Sequence, residues 1–501
     1  MRITLSLCLI SALFASCAPL SSPTAALPES ATPLPSATAI PSNTPTSIPL
    51  PTETPTIVSS ETPVPPSEEA LAWLRLHAIG FDTAEPGTGC LDLQPLLEMI
   101  GEARIVALGE ASHGTHEFFT MKQRIIECLV QEKGFNLVAL EAGWAEAAHI
   151  NQAVVSGTDD PTTVRSRYRF FGGTSELWAL IAWLQAYNQQ AAAANRVSLS
   201  GFDMQYGDLL VQDTLTYIQQ VDPGSLDLVQ DDLRCFSDHV VNYSANPDAD
   251  HYSQAGSEIQ AECRHGLQAV HDLFLNNQAA YEIASSPNEY AEAFTEVRLL
   301  LQNEQLMAEG DMLASINLRD RYMADNAAWL LDQAGPTAKM VIWAHNGHVS
   351  AAHGQWSEAE AAAFGGATGQ EMIPMGAYLR ELYGDELVVV GFAFERGSFL
   401  AIGFSERINS ALGYGIYNLP GPLPGSYEEY LATVSLPRFM LDLRLVQDAP
   451  QLADWFRKPR WMTVFGLGYV TDDPQANASR IILPDAFDIL IYFQTTTAAQ
   501  R

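Results

Sequence analysis

The stretch from Val106 to Gly143 constrains the fold of this chain more than any other. The run Arg104–Leu108 is apolar and rich in branched residues, which predicts a short buried strand. From Glu117 to Lys133 apolar residues recur at helical spacing, and Gly134 is a favourable helix stop. Asn136–Leu140 then predicts a second strand, which must run parallel to the first because a helix connects them. The stretch is therefore predicted to form a βαβ unit of a parallel sheet.

Polar residues directly follow three predicted strands. The loop Gly109–His116 contains Glu110 and His113, the second strand ends on Glu141, and a third predicted strand ends at Asp203. Parallel strands bring their carboxyl ends to one edge of the sheet, where open α/β sheets place their ligands. We therefore predict a functional site at this edge.

The middle of the chain is predicted to be a helical insertion. Between Asp208 and Asp332 the pattern is helical without a convincing strand, which predicts an insertion or lid over the sheet edge. The next apolar run, Lys339–Ala344, predicts a strand that leads directly into His345-Asn346-Gly347-His348. The predicted fold class is α/β, with a central, mostly parallel sheet flanked by helices and a large helical insertion at about residues 208–332.

The N-terminal residues predict export. Residues 1–17 carry one Arg, an apolar core and small residues before Cys17, typical of a lipoprotein signal peptide, with ordinary signal cleavage as the alternative. Residues 18–66 contain 13 prolines and 17 Ser or Thr but no aromatic or basic residue, so they predict a linker without a core. The folded domain is then residues 67–501. We expect a protein secreted across the cytoplasmic membrane and lipid-anchored through Cys17 to the cell surface or the periplasmic membrane face.

The net charge limits the binding partners of this chain, and the cysteine positions limit its possible metal sites and disulfides. The 26 basic and 59 acidic residues give a net charge of −33, which disfavours nucleic acid and leaves the lipid anchor as the predicted membrane contact. No spacing of cysteines and histidines indicates zinc. Cys235 and Cys263 lie in neighbouring helical stretches and are the predicted disulfide. For Cys90 and Cys128, a disulfide and two buried free thiols both remain open.

Several motifs resemble those of the erythromycin esterase family. Gly109–Thr115 is similar to the family's GExxHG loop, and Leu140–Gly143 to its LExG strand end. Further similar blocks follow in the family's order: GFDMQ at 201–205, RDRYMADN at 319–326, WAHNGHV at 343–349 and MGAYLR at 375–380. The resemblance implies an α/β fold and a hydrolase acting on a carboxylic ester or macrolactone, such as a macrolide antibiotic.

The resemblance also implies roles for individual residues. His113 would be the general base that activates water, and Glu141 would orient or polarise that water or the imidazole. His345 and Glu110 would complete the catalytic set. The implied substrate-binding residues are Arg319, His348, Lys122 and Asp203. Gln185 stands where the family pattern has an Arg.

This chemistry is plausible on its own terms. An imidazole can accept a proton from water near neutral pH, and a nearby carboxylate stabilises the imidazolium that forms. Arg319, a cationic His345 or backbone N–H groups of the loop would stabilise the oxyanion. Ser112 adjoins His113, but chain neighbours seldom face each other and no GxSxG motif is present. We therefore predict direct attack by water.

Two alternatives remain open from the sequence. Glutamate and histidine side chains also bind Zn²⁺ or Mn²⁺, so the same cluster is compatible with a metal-dependent hydrolase. The other alternative is a non-enzymatic, lipid-anchored protein that binds a small molecule. We predict no cofactor, with a divalent metal as the open exception.

Overall fold

The computed structural model describes residues 66–157, 159–161, 165, 173–241, 252–355, 370–408, 410–449, 452 and 455–501. The predicted signal peptide, Cys17 and all but the last residue of the predicted linker lie outside these ranges. Within them, no helix has the length and apolar character needed to cross a bilayer.

Strands form the centre of the molecule. In chain order the described strands are β1 (Ile79–Gly80), β2 (Ile105–Leu108), β3 (Leu137–Gly143), β4 (Ser198–Asp203), β5 (Met340–Trp343), β6 (Gly354–Gln355), β7 (Glu371–Met372), β8 (Leu387–Ser405), β9 (Ser410–Leu419), β10 (Arg438–Asp442), β11 (Arg460–Thr463), β12 (Gly468–Val470), β13 (Ala478–Ile481) and β14 (Ile489–Thr496). Ten of them form one sheet in the order β1-β10-β14-β8-β2-β5-β3-β4, with β9 and β12 also paired to β8.

The sheet is mixed but mostly parallel. Every pairing from β14 through β8, β2, β5 and β3 to β4 is parallel, while β1, β10 and β9 join by antiparallel pairing. Two small sheets, β6 with β7 and β11 with β13, lie apart from it. The predicted fold class is therefore confirmed.

Helices cover the sheet. In chain order the described α-helices are α1 (Glu68–His77), α2 (Gln94–Ile100), α3 (His116–Lys133), α4 (Trp144–Ile150), α5 (Ser175–Gln190), α6 (Gly207–Val221), α7 (Leu226–Phe236), α8 (Ser257–Ala284), α9 (Pro287–Ala308), α10 (Met312–Ala334), α11 (Asn346–Val349), α12 (Met375–Tyr383), α13 (Tyr427–Leu431) and α14 (Leu483–Ala486). In β2, Ile105 and Ala107 pack into one apolar cluster and Val106 and Leu108 into the other. Burial on both faces explains why these strands are uniformly apolar.

The segment from α6 to α10 is helical wherever it is described, as predicted. It packs against β4, and its last helix, α10, contacts β4 and α12. The predicted disulfide Cys235–Cys263 joins α7 to α8. A second disulfide joins Cys90, before α2, to Cys128 in α3. The free-thiol interpretation of Cys90 and Cys128 is therefore wrong.

Strand register brings the predicted polar residues to one edge. Leu108 pairs with Trp343, Trp343 with Leu140, and Leu140 with Gly201. Because these four residues lie side by side in parallel strands, the segments that follow them all leave the sheet at the same edge. This register positions the site described next.

Candidate functional site

The loop that follows β2 is held by close packing. A Cβ at Gly109 would overlap the side-chain oxygen of Asn346, and one at Gly114 would overlap the backbone carbonyl of Leu400. Asn346 is fixed in turn, because its side chain donates to the Phe392 carbonyl (2.7 Å) and accepts from the Phe392 N–H (3.1 Å). The two glycines therefore allow the loop to lie directly on β8 and on the segment after β5.

Glu110 is a buried carboxylate with two partners. Its Oε2 accepts a hydrogen bond from Nζ of Lys122 (2.6 Å), and its Oε1 lies 2.6 Å from Nδ1 of His113. Burial on its own would raise the pKa of Glu110, but Lys122 and His113 outweigh burial and lower it. Burial lowers the pKa of Lys122 to about 8 against the opposing effect of Glu110. The carboxylate is thus ionised at neutral pH.

His113 is oriented through one ring nitrogen. Because ionised Glu110 only accepts hydrogen bonds, Nδ1 of His113 carries the proton that is donated to it, which leaves Nε2 as the basic nitrogen. No residue in the described ranges hydrogen-bonds Nε2. The side chain of His113 is 24% exposed, in contrast to 3% for Glu110. Nε2 is therefore accessible to water or a substrate.

Arg319 of α10 binds two carboxylates near the carboxyl ends of the neighbouring strands β3 and β4. Its Nη2 donates to Asp203 Oδ2 (2.6 Å) and to Glu141 Oε1 (3.2 Å). Burial opposes the charge of Arg319, but Asp203 and Glu141 raise its pKa. The helical insertion therefore supplies a permanent cation to the sheet edge.

His348 lies between two other carboxylate contacts. Its Nδ1 is 2.8 Å from Asp320 Oδ1 and its Nε2 is 3.3 Å from Glu141 Oε1. Burial would lower the pKa of His348, but Asp320 and Glu141 raise it to about 10. His348 is thus an imidazolium whose two N–H groups both donate, and its approach to Arg319 Nη1 (3.2 Å) is a contact between cations. In the same way, burial would raise the pKa of Glu141, but His348 and Arg319 hold it well below its ordinary value.

His345 is neutral in this environment. Its backbone N–H donates to Glu141 Oε2 (2.9 Å), its Nδ1 accepts from the Gly347 N–H (3.2 Å), and its Nε2 lies 3.4 Å from the Ala111 carbonyl. Burial and the nearby His113 lower the pKa of His345 to about 3. The interpretation of His345 as a cationic oxyanion donor is therefore wrong. Its ring remains 5.0 Å from that of His113, centroid to centroid.

The structure brings all eight predicted site residues to one edge, but it distributes their contacts differently from the sequence hypothesis. Glu110, rather than Glu141, contacts the His113 imidazole. Lys122 is fully buried behind Glu110, and Asp203 is buried behind Arg319, so neither side chain faces a substrate directly. Sequence reasoning missed Asp320, although its place beside Arg319 in the RDR run was a usable signal.

Two residues discussed from the sequence lie outside this network of contacts. The Ser112 hydroxyl is fully buried and lies 2.6 Å from the Thr115 hydroxyl, so it is not presented as a nucleophile. Gln185 on α5 donates to the backbone carbonyl of Asp159 (2.8 Å). Neither Ser112 nor Gln185 therefore takes part in the contacts among the charged side chains described above.

The carboxylates of the cluster are paired with cations. In the described ranges, no three His, Cys, Asp or Glu residues are placed to hold a metal ion. Lys122, Arg319 and His348 already occupy positions beside the carboxylates that would act as ligands. The arrangement can instead hold one imidazole as a base beside fixed positive charges.

Comparison with known proteins adds a family. A family model described as "Erythromycin esterase" matches residues 130–496, a range that begins after Lys122. Erythromycin esterase type II of Escherichia coli is 24% identical over 376 residues, which span 72% of this chain and 85% of that protein. The putative hydrolase YbfO of Bacillus subtilis (strain 168) is 23% identical over 443 residues, or 85% of this chain and 90% of that protein.

Solved structures show the same fold. A Bacillus cereus protein is 26% identical with a TM-score of 0.71, covering 86% of this chain and 98% of that chain. A mutant of the erythromycin esterase EreC, in its open conformation, has a TM-score of 0.58 at 17% identity, covering 83% of this chain and 96% of that chain. At 17% identity, the likeness to EreC concerns the fold alone.

Proposed function

The chain belongs to the erythromycin esterase family, and from that premise we propose that it is a hydrolase that cleaves a carboxylic ester or macrolactone with water activated by His113. One observation carries this proposal. Glu110 accepts the Nδ1–H of His113, and Nε2 is left basic, accessible and without a hydrogen bond in the described ranges. An oriented imidazole with a free Nε2 is the arrangement that general-base catalysis requires.

The proposed reaction needs one proton acceptor and one oxyanion donor. Nε2 of His113 takes a proton from water as the water oxygen bonds to the ester carbonyl carbon, and the carbonyl π pair moves to its oxygen. When the tetrahedral intermediate collapses, the bond to the alkoxy oxygen breaks and His113 returns the proton to that oxygen. The products are a carboxylic acid and an alcohol, or one opened hydroxy acid from a lactone.

The charges around His113 support its role as a proton acceptor. Four buried carboxylates face three cations, so one negative charge remains while His113 is neutral; the groups are Glu110, Glu141, Asp203 and Asp320 against Lys122, Arg319 and His348. A proton on His113 neutralises this excess, and Glu110 contacts the resulting imidazolium directly.

Arg319 is the proposed oxyanion donor. Its Nη2 is taken by Glu141 and Asp203, whereas its Nη1 lies beside the imidazolium of His348, which has no lone pair to accept a hydrogen bond. The Arg319 side chain is 17% exposed. We propose that its Nη1 donates to a substrate carbonyl oxygen as negative charge develops there.

A macrolide is the proposed first substrate to test. The Escherichia coli relative is named an erythromycin esterase, and the Bacillus subtilis relative only a putative hydrolase. The purified protein would be incubated with erythromycin, other macrolactones and simple carboxylic esters, and the products identified by mass spectrometry. Addition of one water to a macrolactone supports the proposal. Turnover of simple esters alone would indicate that the substrate is a carboxylic ester other than a macrolactone. Turnover of no substrate would contradict the proposed hydrolase activity.

A metal-dependent route is the second candidate for the chemistry, and the charges in the site argue against it. A divalent ion would have to compete with Lys122, Arg319 and His348 for the same carboxylates. We therefore propose that activity survives dialysis against a chelator. Loss of activity that a divalent ion restores would contradict this.

The location of the protein also remains a proposal. Two disulfides in the folded domain are typical of a protein that matures in an oxidising compartment. They therefore support the export that the N-terminal signal pattern predicts. We propose attachment to the membrane through a lipid on Cys17. Radiolabelled fatty-acid incorporation that is lost in Cys17→Ala would test it.

A further inference from the structure

A cavity of about 660 Å³ lies beside β4, the last strand of the sheet. Its walls come from α4, α6, α9 and α10, and it extends past the amino-terminal ends of β3 and β4 at Leu137 and Ser198. The catalytic candidates lie at the opposite, carboxyl ends of these strands. The cavity runs along β4 as far as Gly201, and none of the residues described above for the His113 site is among its lining residues.

Glu296 of α9 lines this cavity and is unusual in its surroundings. The residue is only 9% exposed, yet no residue in the described ranges forms a hydrogen bond or ion pair with it. Buried carboxylates ordinarily have a partner, because an unpaired one loses its hydration without compensation. The side chain is thus available to a partner inside the cavity.

The remaining charged groups of the cavity are mostly acidic. Asp213 of α6 and Glu289 and Glu292 of α9 also line it. An imidazole also lines the cavity, that of His149 in α4, and it lies 2.8 Å from Asp213. His149 is therefore committed to Asp213, and the cavity has an excess of negative charge around Glu296.

Aromatic rings form another part of the wall. Trp144 and Trp329 both line the cavity, and their ring centroids are 5.3 Å apart. The face of an indole carries negative potential and attracts cations, while its area is apolar. A ligand that suits both the rings and Glu296 needs a positive charge with N–H donors and an apolar body.

We propose that this cavity binds a small organic ammonium ion, with the Glu296 carboxylate accepting its N–H groups and Trp144 and Trp329 covering its apolar body. Binding at this site is independent of the proposed hydrolysis. The volume is sufficient for a molecule of drug-like size or smaller.

Proton release provides a signature of this site. Burial, with the nearby Asp213 and Glu292, raises the pKa of Glu296 to about 9, so its carboxyl is protonated near neutral pH while no cation is present. An ammonium ion stabilises the carboxylate and displaces that proton. Its affinity should therefore rise with pH between about pH 6 and pH 8, by up to about tenfold per pH unit.

The test is isothermal titration calorimetry of the purified protein with benzylamine, in two buffers of different ionisation enthalpy. We expect binding with release of close to one proton, and no binding of benzyl alcohol, which has the same shape without the charge. Glu296→Gln should weaken benzylamine binding by about tenfold or more and abolish proton release. Glu258→Gln, on an exposed part of α8, makes the same side-chain substitution outside the cavity and should leave both unchanged.

Three results would overturn the proposal. These are no benzylamine binding by the wild type, equal binding of benzyl alcohol, and equal weakening by Glu258→Gln, which would indicate general attraction to an acidic surface. Because proton release is measured on the wild type, the proposal stays testable even if Glu296→Gln folds poorly.

Discussion

His113 and Glu110 are three residues apart in one loop, and their contact gives His113 a single basic nitrogen. Glu110→Gln retains the shape but replaces a carboxylate, which only accepts hydrogen bonds, with an amide that stabilises imidazolium poorly. We expect kcat to fall by about 10²–10⁴-fold. Steady-state kinetics with circular dichroism would measure this. Glu102→Gln, at a side chain that is 91% exposed, is the matched control, and near-normal kcat in Glu110→Gln would contradict the assigned role.

A substitution at Ser112 distinguishes direct attack by water from a route through an acyl-serine intermediate. Its hydroxyl is buried against Thr115, so Ser112→Ala removes one internal hydrogen bond, worth about 1 kcal/mol of stability. We expect kcat within about twofold of the wild type, because the hydroxyl takes no part in the reaction. Loss of turnover in a variant that remains folded by thermal denaturation would restore serine as the nucleophile.

At the scale of residues, sequence located the site but did not assign its contacts. Glu110 and His345 follow buried strands and Glu141 lies in the last three residues of β3, and parallel topology alone brings such positions to one edge. The contacts of Asp320 depend on how α10 is rotated about its own axis, and no local sequence pattern specifies that rotation. His345 is neutral because burial lowers the pKa of its imidazole. That burial is a property of the folded structure and is not visible in the sequence around His345.

At the scale of elements, the residues after β14 contact the loop that carries Glu110 and His113. His116 donates its backbone N–H to Thr497 (2.9 Å), Ala499 donates to Gly114 (2.9 Å), and Gln500 donates to the Glu176 carboxylate (2.9 Å). The same carboxylate lies 2.7 Å from Nδ1 of His116. The C-terminal segment, the loop and α5 are therefore linked through His116 and Glu176.

This link predicts a specific loss of stability at alkaline pH. The contact with Glu176 raises the pKa of His116 from 6.5 to about 9. Since the folded state keeps a proton that the unfolded state releases, the stabilisation is complete below pH 6.5 and is lost as pH rises through about 9. We expect wild type to lose about 1–3 kcal/mol more than His116→Gln across that window in urea unfolding. Parallel curves for the two proteins would contradict the link.

Elements whose apolar residues recur at a regular spacing were predicted well, and elements with an irregular apolar pattern were not. The helix predicted at Glu117–Lys133 is α3, which begins one residue earlier and ends before Gly134 in left-handed conformation. By contrast, β8 continues beyond its uniformly apolar first stretch to Ser405, and its second half forms a hairpin with β9. Exposed positions in β9 show no strict alternation, so the hairpin gives no sequence signal.

At the scale of the whole molecule, the two disulfides close loops of 38 and 28 residues. Loop-closure entropy predicts about 3–4 kcal/mol of stabilisation from each. We expect Cys90→Ser with Cys128→Ser to lower the melting temperature without changing kcat, because the pair lies away from His113. Calorimetry with and without reductant would measure this. A variant as stable as wild type would show that this disulfide is not formed.

The overall architecture was predictable because apolar strands alternate with helices over much of the chain. The pairing of Cys90 with Cys128 was not, because it joins a loop to the middle of α3 and depends on tertiary packing. The cavity beside β4 was also not predictable, since Glu296 becomes unusual only when four helices surround it.

Mass spectrometry of erythromycin incubated with the protein would show whether hydrolysis depends on His113 and on a metal ion. Wild type, Ser112→Ala and His113→Ala would each be assayed with and without a chelator. We expect a product that has gained one water with wild type and Ser112→Ala, in both conditions, and none with His113→Ala. Turnover by His113→Ala, or turnover that disappears with the chelator, would contradict this expectation.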